Sequence, residues 1–399
     1  MSIRLSFREL EWKKLVIKSE LEKRMSHESI VKAVADHHAK REPRPCGLTI
    51  HPGVGCNLQC VYCYVEDMGF NFRSIKPYGL EGNELAYSLL NNPNFFPTIY
   101  GTYLAFGSVT EPFHPIVIKK TLTYLITVDN WLGNPCQVST KFHVDDNIVL
   151  KLASLRRATI NPLITIVTIK RSKTLEPYAP SPELRLETIR SLRKRGLKPM
   201  IFLRPLIPGV NDDEIEDIIS LGKEAGAYGV IIGGLRVTIK IMERMKKSNF
   251  DVKEIEKRML AVPRGNRQVS VLIDDLKDKA IEVAREKGLT PFKSACCANT
   301  YNLMLQRNLR VPCPSLCFLR GFCTDCPVNC ININVKVDEE DVIYAVNKIF
   351  KLKPREVDIG KFRIYLYLEG ISKSKLRKLN RGLRTLESVF RKDVKVIPE

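Results

Sequence analysis

The chain has 399 residues, 44% hydrophobic and 27% charged, enough to bury a full core and to hold one large domain with smaller additions. No apolar run is long enough to span a bilayer, and the first residues lack the apolar core and small-residue cleavage site of a secretory signal, so a cytoplasmic protein without a membrane partner is expected. A net charge of +20 favours a polyanionic partner, nucleic acid being the commonest, although a generally Lys/Arg-rich proteome would give the same figure.

Residues 1–45 read as a mainly helical, mildly basic segment that ends in the proline-broken run Arg41-Glu42-Pro43-Arg44-Pro45. From 46 to 235 strands alternate with helices. The strands fall at 47–51, 100–106, 137–140, 163–169, 198–203 and 229–232, and the helices near 82–91, 115–127, 145–154, 182–195 and 212–225. Such alternation predicts a parallel α/β sheet, open or closed into a barrel, with its chemistry at the C-terminal strand ends. Residues 236–295 read as a helical extension and 296–331 as a cysteine-rich region. Residues 332–399 form a small α/β unit with strands at 332–337, 362–369 and 394–397 and helices at 339–351 and 373–390. There is no internal repeat and no low-complexity tract.

Twelve cysteines in a large chain without a secretion signal point to metal ligands or reactive thiols more than to disulfides. Their grouping agrees: three lie between Cys56 and Cys63, seven between Cys296 and Cys330, and Cys46 and Cys136 stand apart. Cys56, Cys60 and Cys63 have Cys-x3-Cys-x2-Cys spacing in a loop directly after the first strand. Three thiolates can hold three irons of a [4Fe–4S] cluster and leave the fourth iron open for a ligand. The same thiolates with His51 would also make a tetrahedral zinc site, and spacing alone leaves both readings open.

Gly55-Cys56-Asn57-Leu58-Gln59-Cys60-Val61-Tyr62-Cys63-Tyr64 resembles the cluster loop of the radical S-adenosylmethionine (SAM) superfamily. The segments Gly107-Ser108-Val109-Thr110-Glu111-Pro112, Ser139-Thr140-Lys141, Leu175 to Ser181 and Arg204 to Asp212 resemble its spore photoproduct lyase-like branch, in the same order, over roughly 46–235. The resemblance implies a partial (β/α)6 TIM-type barrel and a [4Fe–4S] cluster on Cys56, Cys60 and Cys63 whose open iron binds SAM. It also implies contacts to SAM from Tyr64 near the adenine, Thr110 and Glu111 near the methionine amino group, Ser139 and Lys141 at the ribose or carboxylate, and Arg204 to Asn211 along the adenine side. An electron delivered by a donor such as ferredoxin or flavodoxin would split SAM to a 5′-deoxyadenosyl radical that takes hydrogen from a substrate.

The sequence departs from that branch at one point. The lyases return hydrogen from a cysteine near the end of the second strand, where this chain has Gly107 or Ser108. Tyr62 and Tyr64 match the family's tyrosine pair, which makes Tyr62 a candidate catalytic residue, but the relay lacks its cysteine. Cys136 shares a strand face with Val138 and Thr140, opposite Lys141, and is expected in the core. Thymine photoproduct repair is therefore not expected.

In the second cysteine region, Cys323-x2-Cys326 and Cys313-x3-Cys317 are tight pairs that resemble auxiliary-cluster domains. Cys317, Cys323, Cys326 and Cys330, then Cys313, are the expected ligands of an auxiliary [4Fe–4S] cluster, with structural zinc as the alternative. Adjacent cysteines rarely share one iron, so one of Cys296 and Cys297 at most is expected to ligate. Between Lys361 and Lys395 eleven Lys/Arg face only three Asp/Glu. Leu376, Leu379, Leu383, Leu386 and Phe390 make a buried helical stripe, with Lys375, Arg377, Lys378, Arg381 and Arg384 outside it. Arg363, Tyr365 and Tyr367 share the outer face of a strand, where bases could stack, or the unit is a plain packing module.

These features favour a radical SAM enzyme that modifies a nucleic acid, RNA such as tRNA ahead of DNA. The alternatives are the same chemistry on a protein, peptide or small metabolite, and a non-catalytic zinc- or iron–sulfur-bearing nucleic-acid-binding protein.

Overall fold

The computed structural model describes residues 2–44, 47–371 and 373–398; Cys46 and the side chains of Lys375, Arg377, Lys378 and Arg381 lie outside the described residues. Seven strands form the main sheet, in the spatial order Thr290–Phe292, Gly229–Gly234, Met200–Leu206, Thr159–Thr165, Pro135–Thr140, Leu104–Phe106, Leu48–Ile50. Every neighbouring pair is parallel. The six strands from Leu48 to Gly234 are neighbours in chain order, and the two ends of the sheet do not pair with each other. That is the order of a barrel left open, an α/β fold of partial-barrel type.

The strands are largely buried, Thr159–Thr165 without exception, because helices cover the sheet, and Arg204 is the exposed residue of Met200–Leu206. These helices span Gly82–Asn91, Ile118–Thr127, Asp146–Ser154, Pro182–Lys194 and Ile215–Glu224. A reciprocal capping box between Glu81 and Glu84 starts the first of them, and Pro182 occupies the first turn of the fourth.

The seventh strand adds to the helical extension expected over 236–295. Helices Ile239–Lys247, Lys253–Arg258 and Asp274–Glu286 are present, but Thr290–Phe292 then joins the sheet beside Gly229–Ile231. Three residues containing a proline carry no readable alternation. Gly229 permits the approach, since a Cβ there would lie 2.5 Å from the Thr290 carbonyl oxygen.

The C-terminal unit also differs from expectation. Asn334–Lys336 pairs with Ser2–Arg4 at the other end of the chain, not with its own unit. The three-stranded sheet is completed by Glu356–Ile359, in the order Glu356–Ile359, Arg363–Leu368, Asp393–Pro398. Helix Lys373–Phe390 buries Leu379, Leu383, Leu386 and Phe390, as the periodicity predicts, while Leu376 is half-buried and Arg384 exposed. The unit docks on helix Phe7–Glu22, whose first two backbone N–H groups donate to the buried carboxylate of Asp341 at 2.6 and 2.9 Å. No helix among the described residues is long and apolar enough to cross a membrane.

Candidate active site and metal centres

The first cysteine loop leaves the C-terminal end of strand Leu48–Ile50. Gly55 turns it at φ +84°, and a Cβ there would lie 2.4 Å from the Ser74 carbonyl oxygen, so only glycine fits. Backbone bonds then hold the loop: Cys56 N–H to Asn71 O at 3.0 Å and Val61 N–H to Leu175 O at 2.9 Å. Arg244, from helix Ile239–Lys247, clamps it from outside. Its guanidinium donates to the Val61 carbonyl at 3.1 Å and to that of Cys63, and pairs with Glu66 at 2.6 Å. No motif announces Arg244, which lies beyond the segments that carry the resemblance.

Burial pushes the Cys56 thiol up to about 11 and those of Cys60 and Cys63 up as well, while the Leu58 N–H acts the other way on Cys56 and the Val65 N–H on Cys63. Half-buried thiols at Cys56 and Cys63 with amides turned toward them, beside the buried Cys60, suit thiolates whose charge a metal centre would balance. His51 is not placed to complete a zinc site with them. Its Nε2 lies 2.8 Å from Arg41 Nη1, and its ring sits among His38, Phe70 and Tyr78.

Beneath the loop lies a buried polar network centred on Glu176. Tyr62 donates its hydroxyl to this carboxylate, Arg185 pairs with the other oxygen, and Lys141 Nζ approaches at 4.0 Å. Glu176 and Arg185 are fully buried. Burial disfavours the Lys141 ammonium, but the Cys60 thiol and Glu176 outweigh it and hold its pKa above the ordinary lysine value. Tyr62, the candidate catalytic residue, therefore has its hydroxyl committed to Glu176. The segment Leu175 to Ser181 belongs to the resemblance, yet it does not reveal Glu176 as the centre of the network. Helical spacing alone does not distinguish Arg185 from any other basic residue.

At the end of the second strand, Glu111 is buried and accepts from the Lys141 N–H at 3.0 Å, the Phe113 N–H at 3.2 Å and the Thr140 hydroxyl. Ser139 donates to the Phe106 carbonyl at 3.0 Å, and Tyr64, partly exposed, reaches the Ser108 carbonyl at 3.3 Å. Asn211 spends both amide hydrogens on Val167 O and Pro205 O and accepts from Ile207 N–H, so it pins its own loop. Arg204 is exposed and lies across Gly233. Thr110 Oγ1 and Asn57 Oδ1 are buried and have no protein partner. Two orphaned polar atoms beside the cysteine loop fit an added ligand there, and the thiol set fits an iron–sulfur cluster.

Gly107 has φ +91°, and a Cβ would lie 2.2 Å from the Ser139 carbonyl oxygen. No cysteine can stand there. Cys136 is fully buried against the Asn134 carbonyl, as its strand face predicts.

The second cysteine region does not gather as expected. Cys296, Cys297, Cys313 and Cys317 bring all four sulfurs within 4.8 Å of one another. Cys323, Cys326 and Cys330 stand outside that set and line, with Cys297, Cys313 and Cys317, a cavity of about 480 Å³. Both adjacent cysteines are in the tight set because they open helix Ala295–Arg307, where the chain turns both toward the same two partners.

Residues 50–222 match the family model for the radical SAM superfamily. The chain is 25% identical over 173 residues to an uncharacterized protein of Methanocaldococcus jannaschii, covering 41% of this chain and 62% of that one. An uncharacterized protein of Acidianus two-tailed virus is 25% identical over 203 residues, covering 46% and 64%. The chain thus spans less than two thirds of the length of these relatives. A solved spore photoproduct lyase double mutant, with bound AdoMet and dinucleoside spore photoproduct, is similar in fold at a TM-score of 0.50. It is 14% identical and covers 65% of this chain and 80% of that one. Residues 50–222, with the three-cysteine loop near their start, are the part of this chain that is similar to the radical SAM superfamily.

Proposed function

We propose that the protein is a cytoplasmic radical SAM enzyme that modifies a nucleic acid, structured RNA ahead of DNA. The observation that carries the chemistry is the first loop: three thiols at a strand end, Cys60 buried and Cys56 and Cys63 half-buried, held by Gly55 and Arg244 beside unpartnered polar atoms of Thr110 and Asn57. A reduced [4Fe–4S] cluster held by Cys56, Cys60 and Cys63 would supply the electron that splits SAM into methionine and a 5′-deoxyadenosyl radical able to take hydrogen from the substrate.

The chain's own residues do the positioning. Thr110 offers a free hydroxyl to the methionine end of SAM, and Glu111 fixes the backbone of Lys141. Tyr64 and Arg204 would line the adenine side, Ser139 holds the second and third strands together, and Asn211 shapes the loop from 205 to 211. The network of Tyr62, Glu176, Arg185 and Lys141 excludes water under the loop. Cys323, Cys326 and Cys330, around their cavity, are the proposed ligands of an auxiliary cluster.

A net charge of +20 and the basic stretch from Lys361 to Lys395 support a nucleic acid. The strand Arg363–Leu368 presents Tyr365 and Tyr367 half-exposed on its outer face. RNA is preferred because the position of the lyase's hydrogen donor falls on Gly107 or Ser108 here, and neither can return a hydrogen atom. The second cysteine region favours one competing reading, a peptide or protein substrate. Reduced protein incubated with SAM should release 5′-deoxyadenosine, and RNA copurifying through high salt should raise the rate or become labelled. Release stimulated by peptides and indifferent to RNA would contradict the nucleic-acid substrate.

A further inference from the structure

We propose that Cys296, Cys297, Cys313 and Cys317 hold one divalent metal ion, zinc by preference, as a tetrahedral tetrathiolate whose buried counter-cation is Arg391. The inference is independent of the SAM reading, since it would hold in a chain that never bound SAM.

The distances separate one ion from a cluster. Cys313 Sγ lies 3.5 Å from Cys296 Sγ and 3.7 Å from Cys317 Sγ, and Cys296 Sγ lies 3.8 Å from Cys317 Sγ. A tetrahedron with metal–sulfur bonds of about 2.3 Å has sulfur–sulfur edges of about 3.8 Å. Sulfurs on separate irons of a cubane stand further apart, because each iron carries its own thiolate. Among the described residues the thiols of the first loop do not close to this spacing. None of the four is in a disulfide, and the sulfurs are too far apart to form one without movement.

The surroundings favour thiolates. Cys296 and Cys297 lie in the first turn of helix Ala295–Arg307, where the helix dipole favours negative charge. The Ser294 hydroxyl lies against Cys296 Sγ and would donate to its thiolate. Tyr103, whose hydroxyl is bonded to Thr300 at 2.7 Å, packs with Leu303 and the sulfurs of Cys296, Cys313 and Cys317.

Arg391 is the independent observation. Its guanidinium is buried, with Nη2 on the carbonyls of Tyr100 and Gly101 at 2.9 and 3.3 Å, and with Nε and Nη1 unpartnered. It faces the Tyr103 ring at 5.3 Å, and Tyr103 packs against Cys296, Cys313 and Cys317; burial lowers the pKa of the guanidinium, and Tyr103, then Cys313, Cys296 and Cys330, act the other way. No carboxylate pairs with it among the described residues. A buried lone guanidinium is costly unless a negative group balances it. Binding one divalent ion displaces the four thiol protons and leaves a site of charge −2 next to this cation.

Zinc, iron and sulfide would be counted in full-length protein purified anaerobically, and zinc X-ray absorption recorded on the wild type. The proposal expects one tightly held zinc per chain with four sulfurs at about 2.3 Å, unchanged when Cys56, Cys60 and Cys63 are replaced by alanine. Cobalt put in its place should show the visible bands of a tetrahedral thiolate complex. Cys317→Ser should lose the zinc. Arg391→Met should release zinc to a chelator about 10–100 times faster, with Arg391→Lys close to wild type. Iron–iron scattering assigned to these cysteines, or no zinc in the wild type, would overturn the site. A wild-type release rate in Arg391→Met would overturn the role of Arg391.

Discussion

Under the cysteine loop one carboxylate serves three partners. Glu176 accepts from Tyr62, pairs with Arg185 and draws Lys141 to 4.0 Å, and neither it nor Arg185 meets solvent. Removing one member of a buried pair leaves the other charge uncompensated, which costs about 3–5 kcal/mol. Glu176→Gln is therefore expected to lower the thermal midpoint sharply, whereas Tyr62→Phe, which removes one donor to the carboxylate, should cost about 1.5–3 kcal/mol. Gly107→Cys should destabilise the fold, since its φ of +91° and the nearby Ser139 carbonyl leave no room for a side chain. It should not create a hydrogen donor, and trapping the thiol with a labelling reagent in folded protein would show whether one had been installed. His51 supplies the pH dependence. Burial, then the neighbouring His38 and Arg41, lower its pKa to about 3 from the ordinary 6.5. Between those values the unfolded chain binds a proton that the folded chain refuses, so stability rises with pH across this window and is lost as pH falls. His51→Gln should flatten that part of the profile, read as urea midpoints over about pH 4 to 7. The cysteine spacing made Cys56, Cys60 and Cys63 legible in the sequence. Glu176 stayed hidden, because its role depends on partners 9 to 114 positions away.

At the scale of elements, the loop depends on a helix outside the segments that carry the family resemblance. Arg244 of helix Ile239–Lys247 holds the carbonyls of Val61 and Cys63 and the carboxylate of Glu66. Arg244→Ala is expected to leave the sheet folded and to loosen the loop, with the first site losing a large share of its iron on gel filtration while far-ultraviolet circular dichroism is unchanged. Iron retained at the wild-type level would show that Gly55 and the backbone bonds suffice. The six strands in chain order were legible from alternation, because each is a buried apolar run bounded by polar loops. Thr290–Phe292 and Glu356–Ile359 were not, since strands of three or four residues carry too little pattern. The pairing of Ser2–Arg4 with Asn334–Lys336 joins residues over three hundred positions apart, which no local signal records.

For the molecule as a whole, the cysteines divide by spacing as well as by position in the chain. Three lie in the loop after the strand Leu48–Ile50, four gather tightly where Cys296 and Cys297 open helix Ala295–Arg307, and three more line a cavity beside them. The sequence shows two groups but not this further division, because Cys296 and Cys297 look redundant until the fold turns both toward Cys313 and Cys317. The C-terminal unit is tied to the rest through Asp341, which caps the first long helix, and through Arg391 on the carbonyls of Tyr100 and Gly101. The proposed nucleic-acid substrate rests on charge and on the absence of a cysteine at Gly107 or Ser108, while the proposed chemistry rests on the first loop. The most direct test of that chemistry is electron paramagnetic resonance of the reduced protein, with and without SAM, on wild type and on the Cys56/Cys60/Cys63→Ala triple variant, alongside an iron count. The account predicts that the triple variant loses about four irons and that only the wild-type cluster signal changes when SAM is added. A wild type that holds no iron on these cysteines, or whose cluster signal ignores SAM, would contradict it.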